Sequence, residues 1–241
     1  MDLSDPATWP EGLARHVERA AGTIKRKAKY ATDLRIEDQG EIEGLLAGQS
    51  LLGFHATRLL PHELEAIRAG GLRLLDEDLI PSRIESARAV GTIDDDQAAE
   101  FVRAVQTNYE KHRDTRGQRV GVAVGTAVFS RDPWGFSSLL RVWGGEVLFD
   151  YYTRKDPNYQ VLLTLGRASM VVIDLDLDPL LAVATARDRD RWLRALVGAR
   201  LGLPDAYLSV PYPQDIPGRH ILTILDSADP EFRALGDLYQ D

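Results

Sequence analysis

Two short stretches hold the side chains most able to do chemistry. One is Phe54-His55-Ala56-Thr57-Arg58, where a histidine and an arginine stand as a polar pair near the end of a short strand. The other is Trp143-Gly144-Gly145-Glu146. Paired glycines let the backbone approach a ligand closely or take positive φ, and they leave the next side chain exposed. A glutamate so placed can accept hydrogen bonds from a sugar hydroxyl and stabilise positive charge developing on an anomeric carbon. Each stretch also has a plain structural reading: a solvated or core-satisfied histidine on a surface strand, and a bulge-type turn whose glutamate keeps a strand end soluble.

The elements that position these residues are readable around them. After Leu59-Leu60, Pro61 at a first helical position, Glu63 in the first turn and Arg68 in the last predict a helix over 61–69. Gly70 or Gly71 ends it. Leu64 and Ile67 give that helix one buried stripe, with His62 and Glu63 on its surface. Residues 10–31 and 36–47 read as helices that form a helical extension over residues 1–50, ahead of a domain over 51–241. The Ser82…Glu85 spacing opens a helix toward Gly91, and Asp94 caps a longer one to about 112.

From Arg119 the period changes. Strands are expected over 119–129, 147–152, 169–177, 206–210 and 220–225, with a helix near 188–200 and a last one from Asp229-Pro230. Glu146 would then open the strand at 147–152. Helices crowd the first half and strands the second, so the expected class is α+β.

Composition narrows the field. The chain has 241 residues, 44% hydrophobic and 27% charged, an ordinary balance for a globular protein with a sizeable core. No cysteine is present, which removes disulfides, thiolate metal sites and cysteine nucleophiles and fits a reducing cytosol. No apolar run approaches the ~18 residues that span a membrane. Met1 to Trp9 lacks the basic start and apolar core of a secretion signal, so a cytoplasmic protein is expected. A formal net charge of −8 opposes broad wrapping of nucleic acid. Lys25, Arg26, Lys27 and Lys29 are a local exception, read as a phosphate-facing patch or as a solvated helix end.

The ordered set of His-x-Thr on a strand, a short helix, Gly-Leu, and a late glutamate resembles the ADP-ribosyltransferase superfamily. The nearer branches are the poly-ADP-ribose polymerases, the DNA-targeting toxins and the RNA 2′-phosphotransferases. The resemblance implies split sheets and NAD as substrate. It makes His55 the ribose ligand, Ala56-Thr57 the nicotinamide-binding backbone and Glu146 the catalytic carboxylate. Arg58 becomes a pyrophosphate or target contact, its fork suiting phosphate oxygens. Trp143 and Gly145 fall on the cofactor side. Ala56 departs from the usual His-Gly, and Phe129, Trp134, Phe136 and Trp143 all compete as the aromatic that stacks on nicotinamide. The chain is also similar over 51–178 to bacterial proteins that pair His-x-Thr-Arg with Trp-Gly-Gly-Glu, with Asn108 and Arg116-Gly117 answering to features between them.

Other chemistries lack their motifs. Neither a phosphate-binding Gly-x-x-x-x-Gly-Lys loop nor a Gly-x-Gly-x-x-Gly turn occurs, and Gly-x-Ser-x-Gly is absent. The five histidines are scattered, which points away from a metal site. Asp174, Asp176 and Asp178 read as an acidic strand edge. The expectation is thus an NAD-using transferase of a toxin or phage-defence kind, acting on a nucleic-acid or protein acceptor. A non-catalytic nucleotide- or nucleic-acid-binding module and an RNA 2′-phosphotransferase-like enzyme are the alternatives.

Overall fold

A computed structural model describes residues 1–3, 5–24, 28–36, 41–111, 122–125, 136–203, 206 and 209–232; at 111, 122–125, 136–138, 146, 149, 209 and 210 the description is of the backbone alone. The expected Arg116-Gly117 feature, the aromatics Phe129 and Trp134, and Lys25 to Lys27 lie outside the described residues.

The chain is α+β with small antiparallel sheets. Helices α1 (Glu11–Gly22) and α2 (Ile42–Leu46) precede strand β1 (Ser50–Leu59), which is followed by α3 (Pro61–Gly70), β2 (Gly71–Leu72), α4 (Leu79–Ala89), α5 (Asp95–Lys111) and β3 (Val122–Gly125). Then come α6 (Phe136–Arg141), α7 (Glu146–Phe149), α8 (Pro157–Thr164), β4 (Arg167–Asp176), α9 (Asp178–Val183) and α10 (Ala186–Arg200). Strands β5 (Ser209–Tyr212), β6 (Ile216–Pro217) and β7 (Ile221–Asp226) complete the set. One sheet runs β5-β3-β1-β4-β7 and a second pairs β2 with β6, every ladder being antiparallel.

β1 is the axis of the larger sheet. All ten of its residues pair with β4 in one unbroken register, from Ser50 opposite Asp176 to Leu59 opposite Arg167. Side chains alternate between faces along a strand, so this register sorts them. Leu51 and Leu59 of β1 join Val171, Ile173 and Leu175 of β4 in the largest core. That core also takes Leu13, Val17 and Ala20 of α1, Leu193 and Leu196 of α10, and Leu72 and Ile216 of the small sheet. The other face carries Ala56, Met170, Val172, Leu225 and Leu140 of α6. A third cluster beyond the end of β1 joins Leu60 to α4, α5, α7 and α8 through Ile84, Phe101, Trp143, Leu148 and Leu162.

Residues 1–50 therefore share their apolar contacts with the sheet. Leu3, Trp9, Leu34, Ile36 and Ile42 are all buried in the same core as β1 and β4. Leu52 donates its amide to the Met1 carbonyl at 2.8 Å, which ties the chain start to the first residues of β1. Gly198 of α10 makes a close joint with this segment. A Cβ built there would stand 2.6 Å from Ala31 Cβ and 3.1 Å from Ala206 Cβ, so only a residue without a side chain allows this approach.

Caps explain several boundaries. At α5 the Gln97 amide donates to Asp94 Oδ1 at 2.7 Å and the Asp94 amide donates to Gln97 Oε1 at 3.1 Å, a reciprocal capping box. Thr185 and Asp188 do the same for α10, which starts two residues before the expected 188. Ser82 turns out to lie inside α4. Asp76 Oδ1 takes the amides of Asp78 and Leu79 at 3.0 and 2.7 Å, and so starts that helix a turn earlier. Gly71 ends α3 with φ of +96°.

The strand expected over 147–152 is corrected to a helical turn. Gly144 and Gly145 take φ of +85° and +64°, and the chain leaves them as α7, with Glu146 in its first position. Val147 and Leu148 are adjacent and both buried in one cluster. A half-exposed strand could not do that, but a turn packed on α5 can. Short apolar runs do not separate strand from helix by period alone.

Candidate functional site

β1 decides where the first stretch points. His55 and Thr57 share the odd-numbered face with Leu51 and Leu59, the face on which the small sheet, α1 and α10 pack. Ala56 and Arg58 share the other, with α6 beneath them. The expected polar pair of His55 and Arg58 is thus divided by the sheet, because residues three apart in a strand lie on opposite sides. Thr57 is buried at 9% exposure, and His55 is partly buried and engaged.

Arg58 works as a clamp. Its Nε donates to the Leu165 carbonyl at 2.8 Å, Nη1 to Leu140 at 3.2 Å and Nη2 to Gly166 at 2.8 Å. One guanidinium thereby binds β1 to the end of α6 and to the turn between α8 and β4. The fork geometry expected to meet phosphate oxygens meets three backbone carbonyls instead. Burial pushes the Arg58 guanidinium below its ordinary value.

Glu63 is the functional-looking residue that sequence reasoning placed on a surface, and it is buried at 7% exposure. As the third residue of α3 its Oε2 accepts the Leu60 amide at 2.7 Å, which caps the helix. The same carboxylate accepts Arg83 Nε at 2.6 Å and Trp143 Nε1 at 3.0 Å. Arg83 also donates to the Arg58 carbonyl at 3.0 Å and lies 5.2 Å over the Trp143 ring. Burial alone would push the Glu63 carboxyl up. The Arg83 charge and the hydrogen bonds from Arg83, Leu60 and Trp143 outweigh it and hold the group below its ordinary value. The available signal was an acidic residue at the third helical position after proline, but nothing in the spacing named Arg83 or Trp143 as its partners.

Trp143 is fully buried, so its ring is a wall of the core rather than an open platform. Its own amide donates to the Leu162 carbonyl at 3.1 Å. Asn108, buried at 5%, sends Nδ2 to the Val147 carbonyl at 2.9 Å and holds α7 against α5. The structure therefore unites the Arg58 end of β1, α3, α4 and the Trp143-Gly144-Gly145-Glu146 corner, and leaves His55 on the far side of the sheet. Phe136 opens α6.

Elsewhere, β4 lies between β1 and β7, but its ladder with β7 stops at Ile173, so Asp174 and Asp176 stand on a stretch paired with β1 alone. Asp176 Oδ1 accepts the Asp178 amide, and Asp178 Oδ1 accepts the Gly48 amide at 2.7 Å. Among the described residues no group of three or more His, Asp or Glu is placed to hold a metal ion. None of the described helices is long and apolar enough to cross a membrane. Comparison with family models, curated proteins and solved structures returned no match.

Proposed function

We propose that the chain is an ADP-ribosyltransferase-like enzyme that consumes NAD and passes ADP-ribose to a nucleic-acid or protein acceptor. The observation that carries the reading is the joint between Glu63 and Trp143, 3.0 Å long between residues eighty apart in sequence. It draws the two stretches that bear the family resemblance against one strand end. Two separate antiparallel sheets lend support to the split-sheet architecture. The setting that the resemblance implies is a cytoplasmic toxin or phage-defence component.

In the proposed reaction the bond between nicotinamide nitrogen and ribose C1′ breaks, and its electron pair leaves with nicotinamide. The Glu146 carboxylate stabilises the oxocarbenium-like carbon. An acceptor oxygen or nitrogen then bonds to C1′ and gives up its proton. His55, on the face of β1 opposite Arg58, takes no part in this charge stabilisation.

Incubation with NAD and candidate acceptors, reading released nicotinamide, tests the proposal. Glu146→Gln is expected to lower turnover by about a hundredfold or more while leaving the melting temperature near that of the native chain. Native-like turnover in Glu146→Gln, or no nicotinamide from the native chain, overturns the reading.

One observation favours a second reading, a non-catalytic nucleotide- or nucleic-acid-binding module. Arg58 spends its fork on backbone carbonyls and Trp143 its indole on Glu63, which leaves both motif residues as scaffolding. Binding to RNA or DNA that falls steeply with salt, without nicotinamide release, would select it.

A further inference from the structure

The corner from Trp143 to Leu148 is held at almost every point except the indole. Gly144 at φ of +85° admits no side chain, since a Cβ there would meet Leu148 Cδ1 at 2.4 Å. The Leu148 amide donates to the Gly145 carbonyl at 3.2 Å and closes the turn. Asn108 fixes Val147 from α5, and the Leu162 carbonyl fixes the Trp143 amide from α8. The swing of the Trp143 side chain is set by a different group, the Glu63 carboxylate on α3.

A buried carboxylate–guanidinium pair is a poor device for stability alone, because apolar residues of the same volume often do as well. Its geometry does supply direction. Arg83 reaches both Glu63 oxygens, Nε to Oε1 and Nη2 to Oε2 at 3.3 Å, and Oε2 also takes the Leu60 amide and the indole N–H. Arg83 covers the indole face at 5.2 Å and reaches back to the Arg58 carbonyl. The ring is thereby defined at its edge and on its face by one ion pair, itself anchored to the last turn of β1 and the first of α3.

We propose that Glu63 is the positioning residue of the Trp143–Glu146 corner: with the partly buried Arg83 as its counter-charge, it orients the indole and so fixes where the Gly144-Gly145 turn delivers Glu146. The role rests on the ADP-ribosyltransferase reading, in which Glu146 is the catalytic carboxylate. Glu63 itself touches neither NAD nor acceptor. Its loss therefore acts on kcat through geometry, and leaves KM nearly alone.

The test pairs a signal that needs no turnover with kinetics. The 241-residue chain labelled with nitrogen-15 has four tryptophans, and Trp143→Phe identifies the Trp143 indole N–H by its disappearance. Glu63→Gln keeps an acceptor in place and removes the charge. It is expected to move the Trp143 indole resonance upfield, leave that of Trp9 (which donates to the Asp2 carbonyl) in place, and lower kcat tenfold or more at similar KM. Glu63→Asp is expected to fall between. Glu85→Gln, which removes an exposed partner of Arg88, is the control and keeps native kcat. An unmoved Trp143 resonance in Glu63→Gln overturns the positioning contact. A moved resonance with native kcat overturns the functional role and leaves the NAD reading standing. A native chain that releases no nicotinamide removes that reading and the role together, while the resonance still records the contact.

Discussion

At the scale of single residues, Arg58 and Glu63 separate binding from building. Arg58→Lys keeps the charge but cannot reproduce three directed donors, so about 2 kcal/mol of stability is expected to be lost. For a chain of this size that lowers the melting temperature by several degrees, at about 2–4 °C per kcal/mol. A substrate contact would instead raise KM and leave melting untouched. Glu63→Ala strands a partly buried Arg83 and leaves the Leu60 amide and the Trp143 indole without their acceptor, a loss of about 3 kcal/mol read from the denaturant midpoint. The acid limb of stability carries a further sign. The folded Glu63 carboxyl titrates below its unfolded value, so its contribution is present above that value, about pH 4.3, and fades as pH falls through the lower folded one. Glu63→Gln is therefore expected to show a flatter loss of stability below about pH 4 than the native chain, measured by urea unfolding across pH.

The element scale is where the Trp143–Leu148 corner belongs. Gly144→Ala must force an L-residue to φ of +85° and displace Leu148, a loss of about 2 kcal/mol or more. Thermal unfolding measures it, and an unchanged transition would mean the turn has another shape. The same corner shows what was legible beforehand. Long amphipathic helices with clear caps, such as the one Asp94 starts, and the strand carrying Val171, Ile173 and Leu175 could be read from period and end residues. Glu146-Val-Leu-Phe could not: its alternation imitates a strand, and the two glycines that turn it into a helix are equally at home in a bulge. The helices α8 and α9 gave little pattern, being short and started by Asp-Pro in place of a long apolar stripe. At the site, the resemblance drew attention to Arg58 and Trp143 as binding groups. The partners that occupy them, Leu140, Leu165, Gly166 and Glu63, are set by tertiary contacts that local spacing does not encode.

Across the whole molecule, the helical preface and the sheet are parts of one packing problem. Leu3 and Trp9 reach the same core as Leu51, Leu59 and Ile173, so removing residues 1–9 opens cavities in that core. Such a truncation is expected to lower the transition for the entire chain and to keep it single, followed by circular dichroism and near-ultraviolet signal together. Two separated transitions would show that residues 51–241 stand alone. Gly198 makes the coupling more than additive. Where α10 meets Ala31 there is no slack for even a methyl group, so the helical turn Ala31–Asp33 is seated directly on α10. A pull on that turn has no cushion to absorb it. It would be felt at once in α10, and through Leu193 and Leu196 in the strands that carry His55.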